Sequence, residues 1–249
     1  MFTDTHCHIY DEYYDNIDDV YKKMLDKKVN RVINNGVGMT SNKEVLDKIS
    51  KYDFMYGAIG IHPEEVDTYT LDDLKFIEDH IHDDKVVAIG EIGLDYHWTK
   101  ENRDEQIKLF EAQLEIASRE NVPVIIHSRD ATLDTINILK KYNVRGVIHS
   151  FSGSLETANI YIKMGFLLGI NGVVTFKNCK LKEVLKDISL DNIVLETDSP
   201  YLTPTPFRGE KNNPSYVLNI AEFLCDVYDV SLDEIANITN KNIERCYKI

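Results

Sequence analysis

His6 and His8 stand two residues apart in the segment TDTHCHI near the start of the chain. An extended strand turns alternate residues to one face, so the two imidazoles project together as a chelating pair for a divalent metal. Cys7, between them, faces the other way and packs. Four more ionisable residues follow short apolar runs: Glu91 after VVAIG, His127 after VPVII, His149 after RGVI, and Asp198 at the end of NIVLETD. Packing alone explains such endings poorly, because histidines and carboxylates resist burial unless they are paired or bound to metal. A catalytic zinc takes three protein ligands and a water, so six nitrogen and oxygen ligands fit two ions that share a carboxylate. No lysine stands in GEIGLD to serve as a carbamylated bridge, which leaves Glu91 for that place. The expected arrangement has one ion held by His6, His8, Glu91 and Asp198, and the other by Glu91, His127 and His149. The chemistry of such a pair is metal-assisted hydrolysis, with Asp198 the candidate general base as well as a ligand.

These residues act together only if their segments converge. Short β-branched runs at 2–8, 31–36, 55–61, 86–92, 123–127, 146–150, 165–170 and 193–196 alternate with amphipathic stretches. Helical patterns cover 17–28, 41–51, 71–82, 103–120, 131–142, 155–164 and 181–188, and a final pair begins at Ser215 and Ser231. Eight strand-helix units in 249 residues predict a single-domain (β/α)8 barrel spanning 1–249, with the ends of its strands gathered at one mouth. The proline-rich stretch SPYLTPTPFRGEKNNPS follows the eighth strand and reads as a structured loop over that mouth.

Composition narrows the setting. Hydrophobic residues make up 43% and charged residues 28%, which excludes a disordered or collagenous chain, and no apolar run is long enough to span a membrane. The start of the chain carries no basic segment leading into a long apolar one, so a cytoplasmic enzyme is expected. Four cysteines without a C-x-x-C pair read as reduced thiols. With 28 basic and 42 acidic residues the net charge is −14, which opposes broad electrostatic contact with a polyanion. Two divalent ions against two carboxylate ligands would nevertheless make the mouth net positive. No obligate protein partner is evident.

Arg129, two residues past His127, and Arg208, in the proline-rich loop, are placed to meet phosphate oxygens with a guanidinium fork, with a salt bridge to Asp130 or a neighbouring loop the alternative for Arg129. Asp95 and Glu196 are either carboxylates that orient ligating histidines or plain loop residues. Tyr10, Tyr96, Trp98, Phe151, Tyr201 and Phe207 fall in or near the same loops, as packing groups or as surfaces for an unpaired base. The acidic runs, with His80 and His82, read as solvated surface.

The segments TDTHCHI, GIHPEE, GEIGLDY, VIIHSRDA, IHSFSG, LETDSPYLTP and FRGEKNNPS, in that order and almost end to end, resemble the TatD family of metal-dependent deoxyribonucleases. The resemblance implies a (β/α)8 barrel with metal ligands at the same six positions and a phosphate contact at His62. It further implies two divalent ions per chain, magnesium, zinc or manganese, and DNA as substrate, with removal of nucleotides from the 3′ end of a single strand. The same centre also suits the amides, lactones and phosphotriesters that related barrels hydrolyse. A non-catalytic metal-binding barrel would lack a ligand, and all six are present.

Overall fold

The computed structural model describes all of residues 1–249. Eight parallel strands run in chain order around one sheet: β1 (Phe2–Cys7), β2 (Val29–Asn35), β3 (Met55–Ile59), β4 (Val86–Asp95), β5 (Val124–Arg129), β6 (Gly146–Ile148), β7 (Phe166–Ile170) and β8 (Ile193–Leu195). A parallel bridge between Cys7 and Ser199 closes the seam between the first strand and the segment after the last. The chain is a (β/α)8 barrel. Its outer ring consists of α1 (Ile17–Asp26), α2 (Met39–Lys51), α3 (Leu71–His80), α4 (Arg103–Glu120), α5 (Thr132–Leu139), α6 (Leu155–Lys163) and α7 (Leu181–Leu185), completed by α8 (Val217–Tyr228) and α9 (Leu232–Tyr247).

Side chains alternate across each strand, and they sort into two cores. Ile33, Ala58, Ala88, Ile125, Val147, Leu167 and Val194 point inward and fill the barrel. Ile243, Cys246 and Tyr247 from the end of α9 join this inner cluster, so the last helix contributes to the barrel interior as well as to the outer ring. The opposite strand faces, Val32, Ile59, Ile89 and Ile126 among them, pack on the helices in a larger layer. α9 is well specified locally: Ser231 and Glu234 form a reciprocal capping box at its start.

The strand ends position the site. β4 and β5 stay paired up to Asp95 and Arg129, further than the apolar runs predict, whereas β6 and β8 stop at Ile148 and Leu195, short of the predicted ends. Asp130, Ser150 and Asp198 adopt the left-handed region at φ 54°, 49° and 57°. For residues other than glycine this is a strained conformation, and here it turns the chain out of the sheet beside the mouth. No helix is long and apolar enough to cross a membrane. All four cysteines are free, and Cys7 faces away from its neighbouring histidines, with Sγ 3.5 Å from the Ile33 carbonyl oxygen.

Candidate metal centre

Glu91, buried on β4, lies between two groups of histidines. Its Oε2 is 3.3 Å from His6 Nε2 and 3.8 Å from His8 Nε2. Its Oε1 is 2.8 Å from His127 Nδ1 and 3.8 Å from His149 Nε2. Asp198 Oδ1 closes the first group, 3.7 Å from His6, 3.4 Å from His8 and 3.6 Å from His149. All six predicted ligands thus meet at one end of the barrel, and one carboxylate faces both groups with separate oxygens.

Hydrogen bonds fix which nitrogen faces inward for His8, His127 and His62. His8 Nδ1 lies 3.0 Å from the Asn35 carbonyl, an acceptor, so Nδ1 carries a proton and Nε2 offers its lone pair to the cluster. His127 is reversed: Nε2 meets Asp95 Oδ2 at 2.9 Å, which leaves Nδ1 toward Glu91. Asp95 therefore orients a histidine, one of the two readings open from sequence. Glu196, fully buried, has Oε1 3.0 Å from His149 Nδ1 and accepts the Ser150 N–H at 2.6 Å. Gly169 makes room for it, since a Cβ there would come within 2.2 Å of Glu196 Oε2. His62 differs from the other rings. Its Nδ1 accepts the Glu64 N–H at 3.2 Å, so Nε2 carries the proton and points into the site as a donor, 3.9 Å from Glu91 Oε1.

The charge balance calls for cations. Burial opposes ionisation of Glu91, yet the neighbouring His6 and His149 hold its carboxyl well below the usual range. Asp198 is held down in the same way, against burial, by His149 and His8. Burial would strip the proton from His127, but hydrogen bonds to Asp95 and Glu91 raise it to about 9; for His149, Glu196, Glu91 and Asp198 overcome burial and raise it to about 10. Without metal, protons occupy positions where positive charge is wanted. His62 moves the opposite way, to about 3 through burial and the nearby His127, and stays neutral. Ligand atoms around a tetrahedral zinc lie about 3.4 Å apart. The spread of 3.2–3.8 Å among His6, His8, Glu91 and Asp198 fits that spacing, and the donor set fits divalent ions.

The sequence profile described as TatD related DNase matches residues 3–248. This chain belongs to the TatD family. It is 43% identical over 254 residues to the uncharacterised metal-dependent hydrolase YabD of Bacillus subtilis, covering all of both chains. It is 34% identical to YcfH of Escherichia coli, another uncharacterised metal-dependent hydrolase, with all of this chain and 96% of the relative aligned. The crystal structure of YjjV, a TatD homologue from Escherichia coli, superposes with a TM-score of 0.95 at 28% identity, covering all of this chain and 98% of that one. The protein is a metal-dependent hydrolase by family.

Six of the seven segments, all but FRGEKNNPS, contribute to the lining of a cavity of about 310 Å³, of the size that holds small ligands. Arg129 lines it, with its guanidinium 5.4 Å from the centre of the Trp98 ring. Arg208 does not. It folds back on its own loop, stacked 3.8 Å over Phe176 and donating to the Thr203 carbonyl at 3.4 Å, so the structure does not bring it to the cavity with Arg129. Sequence reasoning missed Tyr13, Glu64 and Glu65, which also line the cavity. GIHPEE held the signal for the two glutamates, because Pro63 starts a 3-10 turn that keeps them beside His62. Their carboxylates, with Glu91, Asp95 and Asp198, would offset two divalent ions and Arg129, so the mouth is not net positive as the count of two carboxylate ligands suggested. His80 and His82 pair with Asp83 and Glu120 on the surface.

Proposed function

We propose that this chain is a deoxyribonuclease that hydrolyses phosphodiester bonds of single-stranded DNA at a centre of two divalent ions. The observation that carries the reading is Glu91, whose two oxygens face separate sets of histidines beside a protonated His62 Nε2. His6, His8, Glu91 and Asp198 would hold one ion, and Glu91, His127 and His149 the other. Magnesium, zinc or manganese bound there supplies Lewis acidity toward a phosphoryl oxygen and makes water a better nucleophile at neutral pH. The side chains do the rest. Asp198, held ionised, accepts the proton of the attacking water as the new P–O bond forms and the ester P–O bond breaks. His62 donates a hydrogen bond, and Arg129 two, to phosphoryl oxygens whose negative charge grows. The oxygen that leaves takes a proton from solvent.

The test is to strip the protein of metal, restore magnesium, manganese or zinc, and assay single-stranded DNA, duplex DNA, RNA, a lactone and an acylated amino acid. Cleavage of single-stranded DNA is expected to be the fastest. Glu91→Gln, with an unchanged circular dichroism spectrum, should lose about a thousandfold in kcat. Fast turnover of the lactone or the amide with no cleavage of any nucleic acid would overturn the proposal, and wild-type turnover by Glu91→Gln would overturn the two-ion centre.

A further inference from the structure

Arg129 is the sole lysine or arginine lining the cavity, and the five carboxylates there match the charge of Arg129 and two divalent ions together. A strand of nucleic acid gains little from such a mouth by phosphate neutralisation beyond the phosphate at the centre itself. Its affinity needs another source. The structure holds one in two aromatic side chains exposed at the rim.

Of the six aromatics that the sequence places near the mouth, four are engaged elsewhere. Tyr10 is buried over His8, Tyr96 donates to Asp134, Phe151 is buried, and Phe207 stacks on Tyr216. Trp98 and Tyr201 are not: 69% and 50% of their surfaces meet solvent. Large exposed aromatics on a soluble chain call for a ligand when they sit beside a catalytic cavity and are held in place. Both conditions are met. The Arg129 guanidinium lies 5.4 Å from the centre of the Trp98 ring, and the His97 ring packs against Trp98 at 81° with centres 4.9 Å apart. Tyr201 is fixed by a 2.8 Å hydrogen bond between its hydroxyl and that of Tyr13, and Tyr201 itself lines the cavity. Tyr201 follows Asp198 on the β8 side of the mouth, and Trp98 follows Asp95 on the β4 side.

We infer that Trp98 and Tyr201 are base-stacking platforms that hold the nucleotides flanking the reacting phosphate, and that they make the site selective for unpaired strands. The inference rests on the nuclease reading above and names what that site recognises. Bases in a duplex already stack on one another, so only an unpaired nucleotide can offer its face to a side chain. Recognition then comes mainly from bases, not from phosphates, and its salt dependence is shallow.

The experiment uses the metal-loaded protein and two substrates with the same phosphates, a thymidine octanucleotide and an abasic strand of equal length. Trp98→Ala and Tyr201→Ala should each raise KM for the thymidine strand by roughly tenfold with kcat changed less than about twofold. Tyr201→Phe, which keeps the ring and loses the hydrogen bond to Tyr13, should recover most of that loss. The wild-type KM for the abasic strand should resemble that of the variants for the thymidine strand. The logarithm of wild-type affinity should fall against the logarithm of salt with a slope no steeper than about −1.5. Equal KM values for wild type and both alanine variants, or equal wild-type KM for the two strands, would overturn the inference while leaving the nuclease reading intact. Failure of the wild type to cleave either strand would overturn both.

Discussion

At the scale of residues, the centre is defined by the carboxylates behind the histidines as much as by the histidines themselves. Glu196 shows why. It reaches no substrate, yet it is buried against His149 Nδ1, and carboxylates in such positions fix ring orientation and raise ligand basicity. Glu196→Gln keeps the shape and removes the charge, and should weaken metal binding about 10- to 100-fold while the fold survives. Competition with a chromogenic chelator measures this, and unchanged affinity would reduce Glu196 to a filler of the space beside Gly169. Protons report on the same balance. In an unfolded chain a histidine titrates near about 6.5. In the metal-free fold, carboxylates outweigh burial and raise His127 to about 9 and His149 to about 10, so the native state binds these protons more tightly than the unfolded one. Their contribution to stability is complete below about pH 6.5 and is lost as pH climbs through 9 and 10. With chelator present, the melting temperature should therefore decline between about pH 7 and about pH 10, and a flat profile in that window would contradict the assignment. The same protons compete with metal, so metal affinity should rise over this range.

At the scale of elements, the fold was legible because barrel strands are nearly continuous apolar runs and each helix repeats at its own period. The six candidate ligands stood out because each interrupts or ends such a run. Boundaries were less so. β4 and β5 extend to Asp95 and Arg129 through pairing between neighbours, which no single segment encodes, and Asp198 leaves β8 through a left-handed turn that its own residue type does not announce. The packing of Arg208 was not legible, because a loop's place in the chain says nothing of which way a guanidinium folds, and Phe176, the ring it packs on, is 32 positions away. The role of α9 was also invisible, since its amphipathic pattern fits a surface helix as well as one that reaches into the barrel. Tyr247 makes that role testable. It is buried with the inner strand residues, and its hydroxyl has no hydrogen-bond partner in the chain. Tyr247→Ala should cost about 3–5 kcal/mol, as deletion of a large buried side chain does, whereas Tyr247→Phe should be neutral within about 1 kcal/mol. Urea unfolding checks both. An alanine variant as stable as the wild type would mean that the barrel core closes without this helix.

At the scale of the whole molecule, the net charge of −14 and the carboxylates of the mouth act in the same direction, and bound cations would offset it only locally. A phosphate approaching the metal-free cavity meets Glu64, Glu65, Glu91, Asp95 and Asp198 against Arg129 and the protons held by the histidines. A pair of unit charges about 4 Å apart near a protein surface interact by about 4 kcal/mol, so uncompensated carboxylates readily cancel what two stacked bases contribute. Binding of DNA should therefore depend on metal even when no cleavage occurs. A single-stranded oligonucleotide with nuclease-resistant phosphorothioate linkages separates the two events. Its affinity, followed by fluorescence anisotropy, should drop at least about a hundredfold when chelator replaces metal, a difference of about 2.7 kcal/mol. Adding basic residues at the outer surface should not restore it, because salt screens charges more than about 10 Å from the site while the carboxylates beside the phosphate remain close and poorly screened. Tight binding in chelator would mean that the strand lies outside the carboxylate-lined cavity, and the two rim aromatics would then lose their place beside the reacting phosphate.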